Sequence, residues 1–359
     1  MKSVNLVCLI CLFCPIGLLA QDNKPIRWKQ LVQAGAQALP DVLHELETSD
    51  ATSANWLRTA ADAIIEKELA AGRTLDLTAL ETFLKDTSHK PRSRRMVYEW
   101  IIRVNPDSRQ KLLAGFLNDP SMELRRDAVA EALAQLPKEG DRKAGLRKIL
   151  NSARDRDQVD AIAKELKTLG DEVDLAAHFG FVRDWMVLST FDNTGEKGFA
   201  AVYEPEKKLD WKSLPTGKDN KPAAWKRVTS ADPYGKINLA KDVGKHKAAV
   251  AYAVAIVKAD KPAPVELRAN SPNAVKVWLN GKELIAHEEY HHGDSMDQYI
   301  GKGALQAGEN IILVKICQND QKEVWAQSWE FALRVCDATG SAFKVELVPA
   351  PVQTASVEK

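Results

Sequence analysis

The sequence predicts a mixed α+β protein of several domains: an N-terminal α-solenoid of helix pairs, then an antiparallel β-sandwich of jelly-roll type. Three observations carry this reading. From Trp28 to about Gly170, apolar residues recur at three- and four-residue spacing. In that half, a frame of apolar helix end, polar turn and Arg-Arg pair returns after a little over thirty residues, the period of helical solenoids. From about Gly180 the helical pattern gives way to short β-rich runs split by Gly, Pro and Asn.

The chain opens with MKSVNLVCLICLFCPIGLLA, one Lys followed by an apolar run of signal length. Residues 1–20 therefore read as an export signal cleaved near Ala20, which predicts a secreted or periplasmic mature chain. The run is too short and too early for a membrane span, and no later segment is apolar enough for one, so none is expected in the mature form. Leu12-Phe13 before Cys14 argues against a lipoprotein anchor. Cys8, Cys11 and Cys14 leave with the signal, and Cys317 and Cys336 remain in an oxidising compartment. They lie at the far ends of apparent consecutive strands. A simple hairpin would hold them out of register as buried free thiols, whereas another strand order would reopen the bridge. Fifty basic against forty-nine acidic side chains leave no field to steer nucleic acid.

Residues 21–180 form the predicted helical domain. FLKDTSHKPRSRRMVYEWII and FLNDPSMELRRDAVAEAL share the frame: Phe83-Leu84 and Phe116-Leu117, Asp86 and Asp119, Arg94-Arg95 and Arg125-Arg126. The stretch Leu112 to Leu136 resembles a HEAT repeat, with its Asp119-Pro120 turn, an Arg entering the second helix and an Ala-rich inner face. In that family the turn aspartate and helix arginine form a ladder between repeats. The resemblance implies a rung of Asp119 with Arg125 or Arg126, and a scaffold that contacts a protein partner.

Residues 181–348 form the predicted β-domain, with about nine short runs. Leu209 to Ala224 reads as a long polar loop, and 349–359 as a disordered tail. Trp185, Trp211, Trp225 and Trp329 are assigned to sandwich packing.

Within this domain, AHEEYHHGD places His287, Glu288 and His291 in the H-E-x-x-H pattern of zinc peptidases. That chemistry needs a helix, so that both histidines share a face, and a third ligand. The residues before it read instead as a hairpin: VKVWL, an Asn280-Gly281 turn, and KELIAH returning. The hairpin reading makes the motif coincidental and leaves no metal site. VKVWLNGKELIAH with the later LQAGENIILVKI resembles the sugar-binding domain of family-two glycoside hydrolases, and more broadly galactose-binding-type jelly rolls. A helical-repeat half followed by such a sandwich is similar to exported bacterial proteins of uncharacterised function. The resemblance implies a non-catalytic module, because in the hydrolases a separate barrel supplies the acids.

Alternating strand directions would gather HEEYHHGD and QNDQKEVW at one pole, bringing Tyr290, His291, His292 and Asp294 towards Asn319, Asp320 and Trp325. Aromatic rings beside carboxylates and amides suit a sugar; the competing view is an ordinary solvated rim. Trp278 either offers a stacking platform or packs against a neighbouring layer. No cofactor is predicted, and a structural calcium near the histidines is left open. The expectation is an exported, non-enzymatic binding protein that contacts carbohydrate, such as a cell-envelope glycan, through the sandwich. Its rivals are a glycan-active hydrolase or its accessory subunit, and a purely structural envelope scaffold.

Overall fold

The computed structural model describes residues 24–138 and 140–350; the expected export signal and the tail beyond Ala350 lie outside the described residues. Among the described residues no helix is long and apolar enough to cross a membrane. The chain divides into two compact units, Met1–Pro137 and Lys138–Lys359.

The first unit is helical: α1 Lys24–Ala34, α2 Leu39–Thr48, α3 Ala51–Ala70, α4 Thr78–Lys85, α5 Pro91–Val104, α6 Ser108–Ala114 and α7 Met122–Gln135. Their ends follow local chemistry. Asp50 caps α3 by accepting from Ser53 N at 2.7 Å, Pro91 opens α5, and Ser121 caps α7. Leu57, Ala60, Ala61, Ile64 and Ile65 line one face of α3 at helical spacing, and Met96, Val97, Trp100 and Ile101 do the same on α5. These faces join one core cluster, and Trp100 Nε1 reaches Asp62 Oδ1 at 3.0 Å.

Between α5 and the α6–α7 turn lies a buried ion pair. The guanidinium of Arg94 grips the Asp119 carboxylate with two nitrogens, at 2.7 and 2.6 Å. Its Nε donates to the Leu84 carbonyl, and Arg125 Nε donates to the Asp119 carbonyl, both at 2.8 Å. The expected rung is corrected accordingly. The Asp119 carboxylate binds the arginine one helix pair earlier, while Arg125, its expected partner alongside Arg126, meets Asp119 at the main chain.

The second unit begins with α8 Arg142–Leu150, α9 Arg156–Thr168 and α10 Leu175–Phe179. Its strands and short helices follow: β1 Asp184–Asp192, α11 Glu204–Lys207, β2 Ala224–Thr229, β3 Ile237–Asn238, α12 Leu239–Asp242, β4 Ala249–Ala259, β5 Ala263–Asn270 and β6 Ala274–Leu279. The unit ends with β7 Lys282–His287, β8 Tyr299–Leu305, β9 Gly308–Gln318, β10 Glu330–Cys336 and β11 Glu346–Val348. The unit therefore starts before the change of texture near Gly180, because α8–α10 are bonded to the strands. Arg334 Nη1 donates to the Phe179 carbonyl at 3.0 Å, and Arg154 Nε to Ser341 Oγ at 2.7 Å. Gly180 ends α10 with φ +80, and a Cβ there would fall 2.5 Å from the Val335 carbonyl, so glycine is needed twice over.

All pairings are antiparallel. The larger sheet runs β2-β1-β4-β9-β6-β7, with β11 also on β4, and the smaller runs β3-β10-β5-β8. Alternate residues of β4 (Ala251, Ala253, Ala255, Val257) and of β9 (Ile312, Val314, Ile316) share a core with Leu267, Leu333 and Val335 of the smaller sheet. The opposite face of the larger sheet is also covered: Leu188, Tyr252, Val254, Trp278 and Leu313 form a second cluster with Phe199 and Ala223. The cover is the segment 193–223. It is pinned by Lys315, whose fully enclosed Nζ donates to the carbonyls of Phe199 and Ala201 at 3.1 and 2.6 Å and pairs with Glu206 at 2.9 Å. Cys317 and Cys336 are buried free thiols on different sheets.

Candidate functional site

The stretch 274–287 forms the expected hairpin. β6 pairs with β7 from Val275↔His287 to Leu279↔Lys282, and Asn280 and Gly281 both take positive φ, 51° and 80°. Two such residues in succession give the primed turn that matches strand twist. His287 ends β7 with its ring stacked on Tyr299, centroids 4.0 Å apart. Glu288 is exposed in the loop, and His291 sits in the left-handed region at φ 56°, so the H-E-x-x-H residues do not share a helical face. Among the described residues no group of three or more His, Cys, Asp or Glu is placed to hold a metal ion.

The loops after β7 and β9 meet around His291 and Asn319, bonded at 2.6 Å from Nε2 to Oδ1. Asn319 is buried, and its Nδ2 donates to Glu196 at 3.1 Å and Gln321 at 3.0 Å. Tyr290 is half-buried; its hydroxyl accepts from Asn193 Nδ2 at 3.2 Å, and burial pushes that hydroxyl well above its ordinary value. Asn193 Oδ1 is itself buried without a partner among the described residues. The indole of Trp325 meets the His291 ring edge-to-face, centroids 5.4 Å apart, yet remains 61% exposed. Asp320, next to Asn319 in the loop, is exposed, with no hydrogen bond or ion pair among the described residues.

Three expected site residues are engaged elsewhere. His292 lies between Gln298 Nε2, 2.8 Å from its Nδ1, and the Tyr299 hydroxyl, 3.3 Å from its Nε2. Asp294 pairs with Lys236 at 3.0 Å, and Lys236 also holds Glu330 at 2.8 Å. Trp278 is buried in the second cluster, because segment 193–223 covers its face of the sheet, so it offers no stacking platform. Trp325 and Asp320 stay available, on a frame built by His291, Asn319 and Tyr290.

Sequence reasoning assigned Trp211 and Trp225 to packing, and both do pack against the second cluster. They also line an open groove on the larger sheet, with a volume of about 770 Å³. No local pattern marks it, since its walls come from β1, β2, β4, the covering segment and the residues after β11.

No protein-family model matches the chain, and no curated protein resembles it at a significant level. Solved structures offer weak likenesses. One is an anti-sigma factor domain-containing protein, 14% identical with a TM-score of 0.26, covering 46% of this chain and 49% of that one. Another is a β-glucosidase from Kluyveromyces marxianus in complex with glucose, 10% identical with a TM-score of 0.28, covering 44% of this chain and 17% of that one. A third is an α-xylosidase from Xanthomonas citri, 9% identical with a TM-score of 0.19, covering 33% and 15%. The aligned stretch thus spans about half of the first and under a fifth of each hydrolase. At these TM-scores no likeness carries an argument about function.

Proposed function

We propose that this is an exported, non-catalytic binding protein, in which a galactose-binding-type jelly roll contacts carbohydrate and a HEAT-like solenoid contacts a protein partner. The observation that carries the carbohydrate reading is the indole of Trp325. It is 61% exposed and held edge-on by His291, whose partner Asn319 directly precedes the exposed Asp320 in the chain. A fixed aromatic face stacks on the C–H face of a pyranose, and a neighbouring carboxylate accepts from its hydroxyls. His291, Asn319 and Tyr290 serve as support, since their polar atoms are already bonded to one another and to Asn193 and Glu196. The helical reading rests on the repeated frame and on the Arg94–Asp119 rung between successive helix pairs.

The test is a glycan array probed with the full chain and with Trp325→Ala, each checked for a cooperative melt. Saturable binding that weakens about tenfold or more in the variant supports the reading, because truncating a central aromatic anchor has that scale of effect. A blank array from folded protein, or binding indifferent to the substitution, overturns it.

A further inference from the structure

We infer that the outer face of the larger sheet carries a second ligand seat, selective for anionic saccharides, in the groove between the Trp211–Trp225 pair and the residues after β11. The groove exists because β4 changes neighbours along its length. β1 pairs with it only as far as Met186↔Val254, and β11 takes over at Val348↔Ile256. Beyond that point Asp184 and Trp185 of β1 pair with β2 alone, and an opening of about 770 Å³ there is lined by Met186, Val254 and Ile256.

One wall is aromatic and fixed. The rings of Trp211 and Trp225 lie 4.9 Å apart at 48°, and Trp225 Nε1 is tied to the Asp210 carbonyl at 3.1 Å. Rigid indoles lose little freedom when a sugar ring stacks on them. The rim is cationic. Arg227 is 65% exposed, and among the described residues its guanidinium pairs with Asp184 alone, at 3.4 Å, a long pairing for a guanidinium and carboxylate. Asp184 is also committed to Thr229, at 2.5 Å. Lys212 lines the same rim, and its ammonium has no partner among the described residues. Among the lining side chains two cations, Arg227 and Lys212, stand against one carboxylate, Asp184, on a chain balanced overall at 50 to 49. A ring to stack and a carboxylate to receive the guanidinium fork describe a uronate unit. This seat does not depend on the Trp325 pole.

Calorimetric titration of the full chain with a short oligogalacturonate tests it, with the methyl-esterified oligomer as the uncharged control. Saturable binding of the acid, with the ester at least about tenfold weaker, is expected. Arg227→Met should weaken the acid about tenfold, as the loss of one charge-assisted fork. This side chain is exposed, so the variant should fold, whereas Trp211→Ala could loosen the covering segment. Trp325→Ala should leave the titration unchanged. No binding by folded protein, equal affinity for acid and ester, or indifference to Arg227→Met overturns the inference. Loss in Trp325→Ala but not in Arg227→Met would place the ligand at the pole instead. Neutral glycans captured on the array alongside a blank titration would leave the pole standing and remove the groove.

Discussion

The two compact units enclose charge in different ways. In the helical unit Arg94 and Asp119 are 25 residues apart, both side chains are almost wholly enclosed, and two nitrogens meet two oxygens. In the β unit Lys315 and Glu206 are 109 residues apart, and the lysine spends its other bonds on main-chain carbonyls of the covering segment. The first pair joins one helix pair to the next, a local and repeatable device. The second fastens a long, polar cover across one face of the larger sheet. Buried charge specifies geometry in both, at short sequence range in one and at long range in the other.

Removing one partner should separate them most sharply in the helical unit. Arg94→Met leaves the Asp119 carboxylate buried without its fork and should cost about 3–5 kcal/mol. Denaturant unfolding gives the size, and hydrogen exchange should localise the loss to residues before Pro137. A loss under about 1 kcal/mol would mean the rung is ornamental. Lys315→Met should cost less, about 2 kcal/mol, because Glu206 keeps some access to water and still accepts from the Tyr252 hydroxyl. Its signature is faster exchange confined to 193–223 and the outer face of β4 and β9; unaltered protection there would show that the cover does not need its pin.

Acid should weaken the β unit by a smaller, graded amount. Burial holds His178 below its ordinary 6.5, so the unfolded chain takes up a proton before the folded one does. Stability from this group therefore falls as pH drops through 6.5. Burial opposes the charge of Asp297, yet Arg334 and Arg268 hold its carboxyl below the ordinary 3.8. Its contribution is present above that value and is lost as pH falls further, through the lowered folded value. Melting midpoints between neutral and acid pH should show both limbs, the first flattened by His178→Gln and the second by Asp297→Asn. A midpoint unmoved by acid in the unaltered protein would contradict both assignments.

Features written in a few adjacent residues were legible in the sequence. Asn280-Gly281 between alternating strands sufficed for the hairpin, and the spacing of Leu57, Ala60, Ala61, Ile64 and Ile65 for the buried face of α3. Tyr290, His291, Asn319 and Trp325 were brought together by counting strand reversals, and the loops do meet there. What was not legible depends on partners far along the chain. Nothing around Trp278 says that segment 193–223 lies over it, and nothing in NIILVKICQ says that its lysine is enclosed. The pole shows the converse hazard. Polar residues there are already engaged, His292 by nearby Gln298 and Asp294 by distant Lys236, while the open groove is lined in part by tryptophans that look like packing.

The pin beneath the covering segment also bears on how this sequence can diverge. Lys315 recognises Phe199 and Ala201 through their carbonyls, which every amino acid supplies. Positions of 193–223 whose side chains neither pack on the sheet nor bond to it are therefore free to drift while the path of the backbone persists. Related chains that retain this cover should be recognisable less by its letters than by a lone cation inside an otherwise apolar strand, matched to an acid about a hundred residues earlier.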